Sequence, residues 1–538
     1  MKLFVILLLL SISLTFIQCS TEQSPAASAT SDIFLSSNRQ HHSVDPIIYY
    51  KNTTNYNDHF QSYNTRLHHE PYCYYLPTTP KEVSKAVKFA LRSKLPVTIK
   101  SAGHSCDALS SANDAVVIDM SLMKKIKVDT RRNQATVESG VTWLEVYNAT
   151  TPFGLATPGG SCPTVAVGGL VLGGGANYLS PAFGYSCDNV IEMSIVNARG
   201  HLVTASKYEN SDLFWAMRGG GHGGFGILVS VTYKLHAIPD LLYSNKIRVP
   251  FTSFEPALLF IDQYSRTMEK SIYLNMFSGI TAFAAPGKPP KVPFISINFF
   301  YGGNATVGQQ KFFQFFDEFK LVVPNITTNA TKDANPFYNI IAAISDPPPS
   351  RTYVRGRMMN GWTQEKAAAL KTFLLPPALP YFNLSNDPKA NLMFEMYFHG
   401  GAMNEKPSDY NAFVHRNASW SMSIALNYYN ASHDELFGTW DSYVRDQLFN
   451  FSDYIYQNYP DADHPNWANA YYGTNYARLQ SIKARYDPRN FFNYKQSVVP
   501  KRRPHRNDYN DSDNESDNDY SDSEYNNQGS DNDDDDQQ

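Results

Sequence analysis

Two side chains able to bond covalently to a cofactor sit in glycine-flanked segments of this 538-residue chain: His104 in KSAGHS and Cys162 in GGSCPTVAVGG. Each alone has a plainer reading. A histidine is most often a hydrogen-bonded structural group, and a cysteine in an exported protein is most often a disulfide partner. Around Cys162 the backbone is permissive, because fifteen of the thirty glycines lie between Gly159 and Gly226. Glycine lets main-chain N–H groups approach phosphate oxygens, so these loops suit the pyrophosphate of a dinucleotide, although any one glycine could equally serve a tight turn. RGGGHGGFG contains G-x-G-x-x-G at Gly219, Gly221 and Gly224. That fingerprint must follow a strand and open a helix; here it follows helix-like SDLFWAM and precedes strand-like ILVSVTY, which rejects a Rossmann site. With no C-x-x-C or H-E-x-x-H, no metal site is expected, and no G-x-S-x-G elbow supports a hydrolase.

The two loops resemble the RSGGHS-like and G-x-CPTVGVGG-like loops of the berberine bridge enzyme-like branch of the FAD-linked oxidases, which share the vanillyl-alcohol oxidase type of flavin domain. The resemblance continues through GGLVLGGGANYLSPAFGYSCDNV, ENSDLFWAMRGGGHGGFGI and YYGTNYARLQSIKARYDPRNFF, roughly residues 70 to 500. It implies FAD bonded at its 8α-methyl carbon by His104 and at C6 by Cys162. Ser101, Ala102, Gly103, Ser105, Val165, Gly168, Gly169, Gly174 and Ile227 would complete the cofactor site. The implied activity is hydride removal from an alcohol or carbohydrate-like small molecule, with electrons passed to molecular oxygen and peroxide released. Val165 matches the family's gatekeeper beside the flavin, where valine goes with oxidases and a larger aliphatic with dehydrogenases; otherwise it is a plain core valine.

SDYIYQNYPDAD is similar to the family's AYxNYxD segment, which marks Tyr459 first and Tyr456 second as catalytic. A free tyrosine has a pKa near 10, so a tyrosine base near neutrality requires a depressed value, for example from a nearby cation. Failing that, both are aromatic core residues of a Tyr-rich protein. Two departures bear on substrate. Cys106 stands where many relatives have a tyrosine, and HRNASWSMSIAL offers no acid where relatives carry Glu or Gln, the best register placing Ser423 there. These departures leave open a catalytically idle binding or storage glycoprotein on the same scaffold, and a dehydrogenase with another acceptor stays open because it would share every anchor and differ only in oxygen access.

The elements that position these loops point to an α+β fold: a two-lobed FAD-binding domain of vanillyl-alcohol oxidase type (68–240), an α+β substrate domain with a sheet backed by helices (241–455), and a segment (456–500) that by resemblance returns to the first domain. Thr79, Pro80 and Glu82 predict a capped helix start, with Val83, Ala86, Val87 and Ala90 at helical spacing. Thr142 with Glu145 predicts a second capping box. LPVTIK, AVVIDM, VIEMSIVNA, HLVTAS, ILVSVTYKL, FISINFFY and SMSIALNYY read as strands and QEKAAALKTFLL as a helix.

Residues 1–19 read as a secretory signal and 20–45 as a linker. Eleven N-x-S/T sequons between Asn52 and Asn514 agree with a secreted or luminal glycoprotein. The final 38 residues carry 4 basic and 13 acidic side chains, a net −9 that leaves the rest of the chain at +5. This tail, 501–538, cannot bury enough apolar surface to order and is expected to be disordered. No stretch after the signal has transmembrane length, so no stable membrane insertion is expected, and no nucleic-acid partner is expected either. With Cys19 in the leader and Cys162 assigned to flavin, Cys73, Cys106 and Cys187 allow at most one disulfide.

Overall fold

The computed structural model describes residues 46–59, 62–221, 224–280, 294–328, 334–344, 348–374 and 390–501. The expected signal, linker and all but the first residue of the acidic tail lie outside these residues, as do His222 and Gly223 of the glycine-rich run.

Thr79 adopts an extended conformation and accepts from the Glu82 N–H, starting the Pro80–Ser93 helix, which ends at Lys94 in the left-handed region. Its Val83, Ala86, Val87 and Ala90 are all buried, as their spacing predicts. The return half of the expected capping box moves by one residue: the Glu82 carboxylate accepts from Thr78 N at 2.7 Å and Thr78 Oγ1 at 2.9 Å. At Thr142 the box is complete and opens the Trp143–Thr150 helix, with Thr142 N donating to Glu145 Oε2 at 2.7 Å. Each such cap contributes about 1 kcal/mol.

The Pro80–Ser93 helix covers a four-stranded sheet in the order Ile47–Tyr50, Cys73–Leu76, Val116–Asp119, Val97–Lys100, the last three parallel. Its first strand pairs antiparallel with Cys73–Leu76 and precedes the expected start at residue 68. A separate five-stranded antiparallel sheet runs in the order Ile126–Asp129, Gln134–Glu138, Ile227–Lys234, Val190–Val196, Leu202–Ser206. These two sheets are the two lobes, and every strand read from the sequence in this region is present.

Residues 242–428 build an eight-stranded sheet. Along its path the order is Thr327–Thr328, Leu242–Pro250, Phe294–Tyr301, Ile272–Ile280, Asn391–Phe398, Trp420–Tyr428, Arg351–Met359, with Ala334–Asn335 also pairing with Leu242–Pro250. Strand alternation divides its central strands by chemistry. Leu274, Met276, Phe394, Met396, Ile424 and Leu426 are buried apolar residues, and the helices Phe254–Ser265, Ala305–Val322 and Gln364–Leu374 belong to the same core. The alternate residues, including Asn275, Glu395, Tyr397, Ser421, Ser423 and Asn427, face a cavity.

The Tyr476–Tyr486 helix then packs on Ser211–Met217, and Tyr486 and Arg485 both bond Asp212. Among the described residues no helix is long and apolar enough to cross a membrane.

Candidate active site

A cavity of about 710 Å³ lies between the glycine-rich loops and the polar face of the large sheet. This is in the range of small-molecule sites, roughly 300–1,000 Å³. Ser101, Ala102, Gly103, His104 and Ser105 line it from one loop, and Cys162, Val165, Gly168 and Gly169 from the other. The two loops touch: His104 Nε2 lies 2.8 Å from Thr164 Oγ1, two residues beyond Cys162. The His104 ring stacks on Tyr63 at 5.4 Å between centroids.

Two features fix the second loop. Gly159 packs flat on the buried Trp143 ring, where a Cβ would approach Cε3 to 2.2 Å, so only glycine fits. Gly168 N donates to Ser139 O at 2.9 Å. A Cβ on Gly168 would meet Ser101 Oγ at 2.7 Å and Ser139 O at 2.8 Å, whereas one on Gly169 would meet nothing within 4 Å. Because Ser139 O is backbone and cannot swing aside, Gly168→Ala should push the two loops apart. The expected result is a purified protein with a clearly lower flavin-to-protein absorbance ratio than wild type; an unchanged ratio would count against this packing.

Gly174 and Ile227 do not line the cavity. A Cβ on Gly174 would face the Phe413 ring at 2.9 Å and Tyr456 at 3.4 Å, one layer behind the lining. Ile227 is fully buried in the core around the four-stranded sheet, and its neighbours Gly226 and Leu228 reach the cavity instead. Strand alternation turns a side chain away from the face its neighbours present.

Tyr456 and Tyr459 both line the cavity, their rings edge-on at 5.5 Å. The Tyr456 hydroxyl accepts from Gly175 N at 2.9 Å and Asn458 Nδ2 at 2.8 Å. The cation expected to depress a tyrosine pKa is not what these groups face. Burial pushes Tyr459 well above the usual tyrosine value, with the Glu395 carboxylate adding to it, and burial raises Tyr456 likewise. Both hydroxyls therefore keep their protons at neutral pH.

HRNASWSMSIAL has no acid, but the strand beside it places a carboxylate in the cavity. Glu395 pairs across from Ser423, and its Oε2 accepts from Tyr397 Oη at 3.0 Å and Ser423 Oγ at 3.5 Å. Burial raises its pKa against those two bonds. The sequence signal for it is strict alternation in NLMFEMYFHG, which places Glu395 in phase with Tyr397 and His399 on the cavity side. His399 bridges Tyr185 Oη and Ser421 Oγ, each at 2.8 Å, and burial pushes its pKa down to about 3, keeping it neutral.

Cys106 also lines the cavity, its thiol pushed up to about 12 by burial. Cys73, Cys106 and Cys187 form no disulfide, so the bridge the count allowed does not occur among the described residues.

The donor set fits FAD. Glycine surfaces open to the cavity and the buried hydroxyls Thr98 Oγ1 and Thr352 Oγ1, which belong to lining residues and have no protein partner, suit a hydrogen-bonded dinucleotide, with the nucleophilic side chains His104 and Cys162 on the same lining.

A family model described as "FAD binding domain" matches residues 71–206, and one described as "Berberine and berberine like" matches 455–499. An uncharacterized FAD-linked oxidoreductase of Bacillus subtilis is 26% identical over 468 residues, covering 85% of this chain and 98% of that protein. The reticuline oxidase of Eschscholzia californica is 25% identical over 469 residues, 80% and 84% of the two chains. A chitooligosaccharide oxidase structure shares the fold with a TM-score of 0.73 at 21% identity, covering 85% of this chain and 98% of its own. Physcomitrella patens BBE-like 1 gives 0.73 at 23%, with the same coverage. Two family models thus match separate parts of the chain and its relatives align along most of their length, so the chain is similar throughout to the berberine bridge enzyme-like FAD-linked oxidoreductases.

Proposed function

We propose that this chain is an oxidase holding FAD through His104 and Cys162 and removing hydride from a small alcohol or carbohydrate-like substrate. The observation that carries this is one cavity with His104 and Cys162 on one wall and Glu395 and Tyr459 on the other. Held by His104 and Cys162, FAD would supply the redox chemistry, as acceptor of a hydride from a substrate C–H bond and donor of two electrons to oxygen with peroxide as product. The protein's part is to orient and to move a proton. Glu395, the carboxylate that lines the cavity, takes the proton of the substrate hydroxyl. Tyr459, and behind it Tyr456, donate hydrogen bonds that hold the reacting oxygen, which departs from a tyrosine-base role because their environment favours the protonated form. The names of relatives support the substrate class, since one is a chitooligosaccharide oxidase and another a xylooligosaccharide oxidase solved with xylobiose. In domain terms, 68–240 with 456–500 binds the cofactor and 241–455 recognises substrate.

The test is a panel of oligosaccharides and aromatic alcohols mixed with the protein without oxygen. Bleaching of the flavin by at least one class is expected; no bleaching by any would favour the idle-scaffold alternative.

Oxygen as acceptor rests on Val165, which lines the cavity while its carbonyl accepts from Trp143 N at 3.0 Å. At close-packed density one methylene is enough to close a gap that admits a diatomic molecule. Reduced wild type mixed with air-saturated buffer should reoxidise fast, and Val165→Leu should slow this strongly with little change in the reductive half-reaction. Slow reoxidation of the wild type would favour a dehydrogenase.

Export is part of the same reading. All seven sequon asparagines among the described residues, from Asn52 to Asn450, are exposed, as glycan attachment requires.

A further inference from the structure

Behind the tyrosines lies an ionic cluster that the chemistry above does not use. Arg355, on the Arg351–Met359 strand, is 3% exposed and faces four carboxylates from three separate elements. Its Nη2 bonds Asp441 Oδ2 of the Asp434–Leu448 helix at 2.6 Å. Asp107 Oδ1 stands 3.9 Å from Nη1, Asp461 Oδ1 3.7 Å from Nε and Asp463 Oδ2 3.7 Å from Nη2. Asp107 follows His104 by three residues, and Asp461 follows Tyr459 by two. The two loops also meet directly, since Ala462 N donates to Asp107 Oδ2 at 2.9 Å. The residue after Arg355 is Gly356, where a Cβ would lie 3.4 Å from the Tyr459 Cβ, so this strand is the surface on which Tyr459 rests.

A buried guanidinium facing more carboxylates than it can bond is costly to desolvate and weak evidence of stabilisation. Its geometric effect is clearer. The four carboxylates come from two loops and one helix, and moving either loop would pull a negative charge away from the cation they share.

We propose that Arg355 is a positioning residue that locks the His104 loop and the Tyr459 loop into one geometry through Asp107 and Asp461. The cofactor-anchoring side chain and the substrate-facing hydroxyl are thereby set together rather than independently. The inference rests on the roles proposed above for His104 and Tyr459. Lysine in place of arginine would keep the charge but lose the planar fork that spans several partners.

The experiment crosses the two loops, using the full-length, flavin-loaded protein. Asp107→Asn and Asp461→Asn each retain an acceptor oxygen for the backbone N–H they receive while removing the charge that faces Arg355. Asp461→Asn, in the tyrosine loop, should raise hydrogen exchange in the 101–107 peptide about three- to tenfold and lower the fraction of flavin that survives acid precipitation. Asp107→Asn, in the anchor loop, should raise exchange in the 456–463 peptide and lower kcat with KM little changed. Arg355→Lys should keep more of this coupling than Arg355→Met, and should Arg355→Met fail to fold, the two asparagine variants still decide. Exchange that rises only in the mutated loop would overturn the proposal. Wild-type flavin that proves wholly extractable would instead remove the covalent reading, leaving the exchange measurement to judge Arg355 on its own.

Discussion

Glu395→Gln should lower kcat by about 10²- to 10⁴-fold, the usual range for loss of a general base, while the protein stays yellow and folded. The carboxylate is the acidic group held against the sheet wall of the cavity by Tyr397 and Ser423, and an amide cannot take a proton from substrate. The pH dependence carries the sign. Burial raises the Glu395 pKa, and a base works only when deprotonated, so wild-type kcat should rise with pH through that raised value. In the Gln variant this limb should flatten. Tyr459→Phe removes a hydrogen-bond donor and should cost less, about 1–2 kcal/mol in transition-state stabilisation. Steady-state kinetics across pH separate the roles: a Tyr459→Phe enzyme far more damaged than Glu395→Gln would return the base role to the tyrosine.

The second large effect is on the cofactor. His104→Ala and Cys162→Ala should each leave flavin attached by one bond, and the double variant should release all of its flavin on denaturation. Each proposed bond would add an electron-withdrawing substituent to the ring and favour its reduced form, so each single variant should also show a lower reduction potential and slower turnover. Acid precipitation followed by absorbance of pellet and supernatant reads attachment directly. Flavin fully retained by the double variant would mean that other side chains hold it.

Much of this arrangement is legible in the sequence, for local reasons. The Thr142–Glu145 box forms because capping is settled within four residues, and Val83, Ala86, Val87 and Ala90 face the core because helical spacing leaves no alternative. At Thr78 and Thr79 local competition has two nearly equal outcomes, and Glu82 takes the hydroxyl and N–H of the first. The cavity-lining His104 and Cys162 are legible because their loops carry distinctive glycine and proline patterns. Glu395 is less so, since its importance depends on which strand lies beside Trp420–Tyr428, a pairing that spans 28 residues between Glu395 and Ser423. The same holds for the tyrosines. A pKa follows from partners brought by the fold, and Tyr459 meets a carboxylate 64 positions earlier in the chain rather than a cation. Gly174 and Ile227 illustrate the converse, residues in a cofactor-like segment that the local backbone turns into the layer behind the cavity.

The most direct test is peptide mapping by mass spectrometry of the purified, flavin-loaded protein. The account predicts one flavin adduct joining the peptide that contains His104 to the peptide that contains Cys162, with neither recovered unmodified in quantity. Recovery of both peptides free of flavin, together with FAD that extracts completely into acid, would contradict it.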